Sequence, residues 1–260
     1  MSRRTPLWMR ACAAAAYAFL YAPLVVVVVF SFNDSKLNAQ WVGFTTAWYA
    51  KLFRNEEMLL AARNSLLVAA TASVASTVLG TLAGLALHRR PRQRLLPILV
   101  LTPIAIPEVL QGVSLLIFFV LLNFSLGLVS IVLSHVAFCI GFVAVVVRAR
   151  LQGLDASLIE AARDLGATPW QAFRRITLPL IAPGIAAGAL LAFTLSIDDF
   201  VITFFTAGPE ASTLPLQIYS MIRIAVTPEV NAVSTLLMAL TLALAALAGR
   251  LAPGALRGRG

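Results

Sequence analysis

The sequence predicts an all-α membrane protein with six transmembrane helices. Three observations carry that class. Hydrophobic residues fill 60% of the 260 positions and charged residues only 12%, with a mean hydropathy of +0.90, whereas a soluble chain is about one-quarter charged. Six apolar stretches reach the roughly 20 residues a helix needs to cross hydrocarbon. Basic residues gather on alternate sides of those stretches. Almost nothing remains for a second domain, so residues 1–260 read as one membrane domain.

The spans follow in order. The first, 11–32, comes after Arg3, Arg4 and Arg10. It is longer than the apolar core of a signal peptide and no clear small-residue cleavage site ends it, so it reads as an uncleaved helix. The external segment 33–63 carries Asn33, Asp34, Ser35, then Trp41, Trp48 and Tyr49. Those aromatics fit an interfacial belt, or a vestibule that stacks on an organic cation. The second span, 64–87, ends in HRRPRQR, where Pro91 stops the helix. The third, 95–123, is interrupted by Pro103 and Pro107 in TPIAIPE. Such breaks persist where protein or a water-filled cavity satisfies the freed carbonyls. A short link near NFSLG leads to the fourth span, 126–147, and the fifth runs over 180–206. In the last external loop, 207–230, LPLQIYSMIRI reads as a short interfacial helix; the sixth span is 231–252.

The net charge of +9 is distributed by side. Fifteen of the 20 basic residues lie at the N-terminus (Arg3, Arg4, Arg10), the second loop (Arg89, Arg90, Arg92, Arg94), the fourth loop (Arg148, Arg150, Arg163, Arg174, Arg175) or the tail (Arg250, Arg257, Arg259). Lys36, Lys51, Arg54, Arg63 and Arg223 take the alternate side. This positive-inside pattern places both termini in the cytoplasm and argues against a nucleic-acid patch. Cys12 and Cys139 have no metal-ligand spacing and read as packing residues. His88 abuts arginines and His135 stands alone in the fourth span, so neither suggests a metal site.

The loop 149–179 has the densest pattern. Asp155 is placed to cap a helix beginning at Ala156. Leu158, Ala161, Ala162 and Leu165 form its apolar stripe, and Gly166 is placed to end it in a left-handed conformation. Thr168 opens a second helix, with Pro169 at its first position and Gln171 completing a capping box; Pro179 closes it. Two short helices with small residues on one face suit insertion into a groove on a partner, or simply link two spans.

Glu160-Ala161-Ala162, three residues, Gly166, nine residues, then Ile176-Thr177-Leu178-Pro179 resembles the EAA motif of binding-protein-dependent ABC importer permeases. The resemblance implies a type I ABC importer permease fold in which Glu160, Ala161, Ala162 and Gly166 couple the chain to an ATPase. It also implies partners: a second homologous permease, two copies of a cytoplasmic ABC ATPase and a periplasmic binding protein, in a bacterial inner membrane. No G-x-x-x-x-G-K-[ST] loop occurs in the sequence. The chain is therefore expected to bind no cofactor, with ATP and Mg²⁺ held by the partner ATPase, and not to be an enzyme by itself.

Of 11 acidic residues, eight lie in loops or near span ends, and Glu108, Asp198 and Asp199 do not. A carboxylate in a span costs about 2.5–3.5 kcal/mol on insertion scales and marks a functional site by default. Glu108 lies 14 positions past Arg94, roughly 21 Å along a straight helix, and Asp198 19 positions past Pro179, roughly 28 Å. Asp198 and Asp199 are about 100° apart if helical, so one can face a cavity while the other meets a neighbour. With no lysine or arginine inside those two spans, the set calls for a cation: a proton, a metal ion or an organic polycation. The other reading is that each carboxylate caps a broken helix.

FNDSKL (32–37) with Trp48-Tyr49, HVAFC (135–139), LLAFTLSIDDFVITFF (190–205), GP (208–209) and TPEVNA (227–232) are similar to the polyamine permeases, above all the second permease subunit of putrescine and spermidine importers. Relatives of that type carry aspartate where this chain has Glu108, which keeps the charge and lengthens the reach. The resemblance implies polyamine import, putrescine before spermidine, with Glu108, Asp198 and Asp199 on the substrate pathway. Competing readings are an ABC permease for another solute, a proton-coupled secondary transporter, which needs no EAA loop, and an intramembrane enzyme, for which no nucleophile–base pair is present.

Overall fold

In a computed structural model, residues 6–35, 40–89, 93–155 and 157–251 are described, the side chains as far as residue 247. Arg3, Arg4, Lys36, Arg90, Pro91, Arg92, Ala156, Arg257 and Arg259 lie outside them, as does the side chain of Arg250. The helices are α1 (Leu7–Phe30), α2 (Ala47–Leu52), α3 (Glu56–Arg89), α4 (Leu95–Ala105), α5 (Glu108–Leu121) and α6 (Leu128–Gln152). After these come α7 (Ser157–Asp164), α8 (Pro169–Ala172), a π-helical turn at Phe173–Thr177, α9 (Leu178–Ile197), α10 (Val201–Thr206), α11 (Leu214–Ile224) and α12 (Pro228–Leu251). Among the described residues, five continuous helical stretches are long and apolar enough to cross a membrane, and six if the bent pair α4–α5 counts as one span. The short helix predicted at LPLQIYSMIRI is α11. No strand occurs among the described residues, only an isolated bridge between Asn33 and Phe44.

Two predicted spans are not straight. The third bends by 111° between α4 and α5. Of its two prolines, Pro103 stays inside α4, while Pro107 breaks the chain: Ile106 before it is extended, with φ −81 and ψ 134, as steric conflict with a following proline ring requires. The fifth stops at Ile197, and residues 198–200 separate α9 from α10. The second span runs longer than predicted, 34 residues or roughly 51 Å.

The chain forms two compact units. In Met1–Leu59 with Gln217–Ala239, the segment after α1 folds on itself. Asn33 donates Nδ2 to Gln40 O (2.8 Å) and accepts from Val42 N at Oδ1 (2.9 Å), and its carbonyl accepts from Trp48 Nε1 (2.9 Å). Phe32 stacks on Phe44 and leans on Tyr49, both at 5.2 Å. Lys51 lies 5.6 Å over the Trp48 ring and pairs with Glu229 at 2.5 Å. The Trp48 face that could hold an organic cation thus holds the protein's own ammonium.

In Leu60–Leu216 with Leu240–Gly260, α6 is the central post, packed by α4, α9 and α10. Lipid is as apolar as leucine, so helices here associate through close packing of small residues. A Cβ on Gly80 of α3 would lie 2.6 Å from Val143 Cβ and 2.9 Å from Ile140 O, and one on Gly184 of α9 would lie 2.9 Å from Arg150 Cβ. Ser73 of α3 adds a hydrogen bond to Ala189 O of α9 (2.7 Å). Cys139 is fully buried against α9, with Sγ 3.6 Å from Ala192 O, the packing role expected of it.

Gly80→Val should destabilise the chain by about 1–3 kcal/mol, as overpacking does. Leu79→Val, at a 46% exposed position, should change stability by under about 0.5 kcal/mol. Thermal unfolding of the two variants in detergent compares them directly.

Candidate functional site

Two places in the second unit gather the predicted site residues. The first is where the broken spans meet. α5 packs on α10 so closely that a Cβ on Gly112 would lie 2.6 Å from the Phe205 ring. Glu108 opens α5 and Asp198 lies in the break before α10. Both are exposed, and they lie within electrostatic reach of each other. Neither makes an ion pair among the described residues. One turn along α5, buried Gln111 leaves its Oε1 without a hydrogen-bond partner.

Asp199 differs from its neighbour. Its side chain is only 5% exposed. Oδ2 accepts from Thr203 N (2.8 Å) and Thr203 Oγ1 (2.9 Å), and Oδ1 accepts from Ile202 N (3.3 Å). The carboxylate therefore satisfies first-turn N–H groups of α10 that would otherwise face hydrocarbon unpaired. His135 Nε2 lies 3.2 Å from Asp199 Oδ2 and 3.0 Å from Thr203 Oγ1, while Nδ1 lies 2.7 Å from Ser196 Oγ. An ionised carboxylate only accepts hydrogen bonds, so pairing with it requires a hydrogen on Nε2.

Several expectations change here. The rise to Asp198 holds because α9 is unbroken, but a straight-helix distance to Glu108 does not, because the span turns at Pro107. Asp198 and Asp199 are not successive helix positions; they sit in a break, where one points out and the other in. Asp199 is the carboxylate that caps a broken helix. His135 is not solitary: Ser196, Asp199 and Thr203 surround it. The signal in the sequence was its polarity, because a histidine in an apolar span needs partners, yet residues 61 and 68 positions away cannot be matched by spacing.

The second place is the hairpin 155–177. Ser157 N donates to Asp155 Oδ1 (2.9 Å). Hydrogen bonds from Ser157, side chain and backbone, hold the Asp155 carboxyl below the ordinary aspartate range. That contribution is complete above the ordinary range and is lost as pH falls through the lowered value. Gly166 is left-handed, with φ +86 and Ala167 N closing on Ala162 O (3.0 Å). Thr168 and Gln171 form the predicted box: Thr168 N donates to Gln171 Oε1 (2.9 Å) and Gln171 N to Thr168 Oγ1 (3.3 Å). Pro179, however, does not close this helix. It falls in the first turn of α9, where a missing N–H is tolerated, and the π-helical turn carries α8 into α9 without interruption. No residue of α7 is buried, and Leu165 is 89% exposed.

The family described as "Binding-protein-dependent transport system inner membrane component" matches residues 76–257. The putrescine transport system permease protein PotI of Escherichia coli (strain K12) is 45% identical over 244 residues, 90% of this chain and 86% of PotI. The spermidine/putrescine transport system permease protein PotC of the same strain is 44% identical, over 88% of this chain and 87% of PotC. Among solved structures, a chain of a bacterial ABC transporter that imports the acidic polysaccharide alginate superposes with a TM-score of 0.73 at 18% identity, covering 95% of this chain and 94% of that one. A chain of the inward-facing MetNI methionine ABC transporter gives 0.61 at 23%, covering 78% and all of that chain. The fold is the type I ABC importer permease fold that the EAA spacing implied.

The two aspartates should separate by stability. Asp199→Ala leaves buried donors of Thr203 and His135 unpaired and should cost about 2–4 kcal/mol, whereas Asp198→Ala should stay within about 0.5 kcal/mol. Thermal melts in detergent read both. At the hairpin, Gly166→Val forces a β-branched residue into the left-handed region at about 1–2 kcal/mol, while Gly153→Ala, at φ −87, should be neutral by the same measurement.

Proposed function

Because the chain belongs to the family of binding-protein-dependent transport system inner membrane components, we propose that it is the permease subunit of a polyamine importer. Putrescine is its substrate before spermidine. The observation that carries this reading is the pair of exposed carboxylates, Glu108 and Asp198, at two breaks that lie together on α5 and the α9–α10 junction. A linear diamine has two ammonium groups on an apolar stem. On entering a membrane cavity each loses water, and a carboxylate replaces it with charge-assisted hydrogen bonds. Two carboxylates match two ammoniums. Asp199 belongs to the pathway as the group that shapes the break. The names of PotI and PotC support the same class of substrate.

The remaining roles follow the family motif. Glu160, Ala161, Ala162 and Gly166 present the hairpin to a cytoplasmic ATPase, two copies of which hold ATP and Mg²⁺. The uncovered apolar side chains of α7 and Leu165 gain a partner there. A second permease completes the pathway, a periplasmic binding protein delivers substrate, and both termini lie in the cytoplasm. Hydrolysis rocks the hairpins and alternates access across the membrane.

The test is ATP-driven uptake of labelled putrescine and spermidine into proteoliposomes holding this chain with its partner permease, ATPase and binding protein. Putrescine should accumulate, and Glu108→Gln or Asp198→Asn should lower kcat/KM by about tenfold or more with assembly intact. Glu160→Ala should abolish uptake while substrate still binds. Wild-type failure with both amines, alongside ATPase activity stimulated by a different binding protein, would remove polyamine and leave the permease.

A further inference from the structure

We propose that His135 is a positioning residue. It pins the break in the fifth span so that Asp198, and not Asp199, is the carboxylate presented to a cationic substrate. The substrate half of this statement rests on the reading above; the pin itself does not.

The geometry is that of a bracket. His135 sits on α6, an unbroken helix of 25 residues, and is 1% exposed. Its own turn is held on both sides: Ser134 Oγ donates to Ser130 O (2.7 Å) and Cys139 Sγ reaches Ala192 O (3.6 Å). From that fixed base Nδ1 takes Ser196, in the last turn of α9, and Nε2 takes Asp199 and Thr203, at the start of α10. One imidazole therefore grips both ends of a break confined to residues 198–200.

Adjacent side chains in so short a segment cannot both turn inward. With Asp199 held against α6, Asp198 is directed out. The grip also divides the chemistry. Asp199 already accepts from Ile202 N, Thr203 N, Thr203 Oγ1 and His135 Nε2, and an ammonium would gain little from a carboxylate so occupied. Asp198 has no such set. The charged group facing the imidazole is Asp199; Asp198 and Glu108 lie further out and act on one another, and α4 carries no charged residue. The assignment thus depends on the hydrogen-bonding edges of residue 135.

Glutamine and asparagine separate those edges. A glutamine amide reaches the position of Nε2 and can keep a donor on Asp199. An asparagine amide reaches only that of Nδ1 and keeps the Ser196 contact alone. In the assembled transporter in proteoliposomes, His135→Asn should raise the KM for putrescine by about tenfold with kcat little changed, and His135→Gln should stay within about threefold of wild type. His135→Ala should behave as asparagine does; if it fails to assemble, the Asn–Gln pair decides.

A second readout needs no substrate. With Cys12 and Cys139 replaced by alanine, Asp198→Cys should react readily with a cationic methanethiosulfonate. That rate should fall about tenfold with His135→Asn and recover with His135→Gln, following the accessible fraction of the site. Equal labelling and equal KM in Asn and Gln variants, or loss of kcat alone in both, would overturn the pin. Absence of any polyamine uptake in wild type would remove the substrate reading, and labelling would then decide the pin by itself.

Discussion

Hydrocarbon offers no water to an unpaired amide, so a chain that crosses a membrane must satisfy its backbone internally or not break. The fifth span breaks, and the contacts around that break follow from the cost of doing so. α10 begins with N–H groups that have no preceding turn to donate to. Asp199 accepts from two of them. A buried carboxylate is itself costly, and a single partner rarely compensates it. Thr203 and His135 complete its set, and His135 in turn needs Ser196. The network closes only because α6, α9 and α10 pack together, and α6 reaches α9 through small residues at Gly184 and Gly188. Removing one donor exposes the next.

The third span meets the same constraint by a different route. Proline carries no N–H, so Pro107 adds no unpaired donor of its own, and the extended Ile106 before it follows from ring sterics. No side-chain cap is made at Pro107. That difference decides what could be read from the sequence. Pro107 announces its break locally, as do Gly166, Thr168 and Gln171 in the hairpin, because turn and cap chemistry is written within four residues. The break at 198–200 has no proline or glycine. Its cause lies in α6, more than 60 positions away in sequence, and one sequence contains no signal for such a pairing. The same limit left open which of Asp198 and Asp199 faces a cavity, and made His135 look solitary.

Pro179 was misread for a related reason. A proline at the end of a capped helix usually closes it. Here the hydrogen bonding widens before the proline, through a π-helical turn at Phe173–Thr177, and such turns recur at functional positions. The chain gains a continuous helical stretch from Pro169 to Ile197. Near the proline-rich end Arg150 braces it, packing on Gly184 and donating Nε to Leu180 O (3.1 Å).

This continuity relates the two candidate places. Residues 169–197 form a rod of 29 residues, roughly 43 Å at about 1.5 Å per residue. The hairpin is attached at one end and Asp198 at the other. A helix transmits tilt along its axis far more stiffly than a loop does, so displacement of the hairpin is not absorbed at Pro179, as it would be if that proline closed the helix. The displacement is carried to Ser196. There the rod meets the imidazole held on α6, and the break that follows is the first interruption of the helix on the path. Residues 169–197 thus join the hairpin, through one helical rod, to the post on α6 and to the short break that bears Asp198.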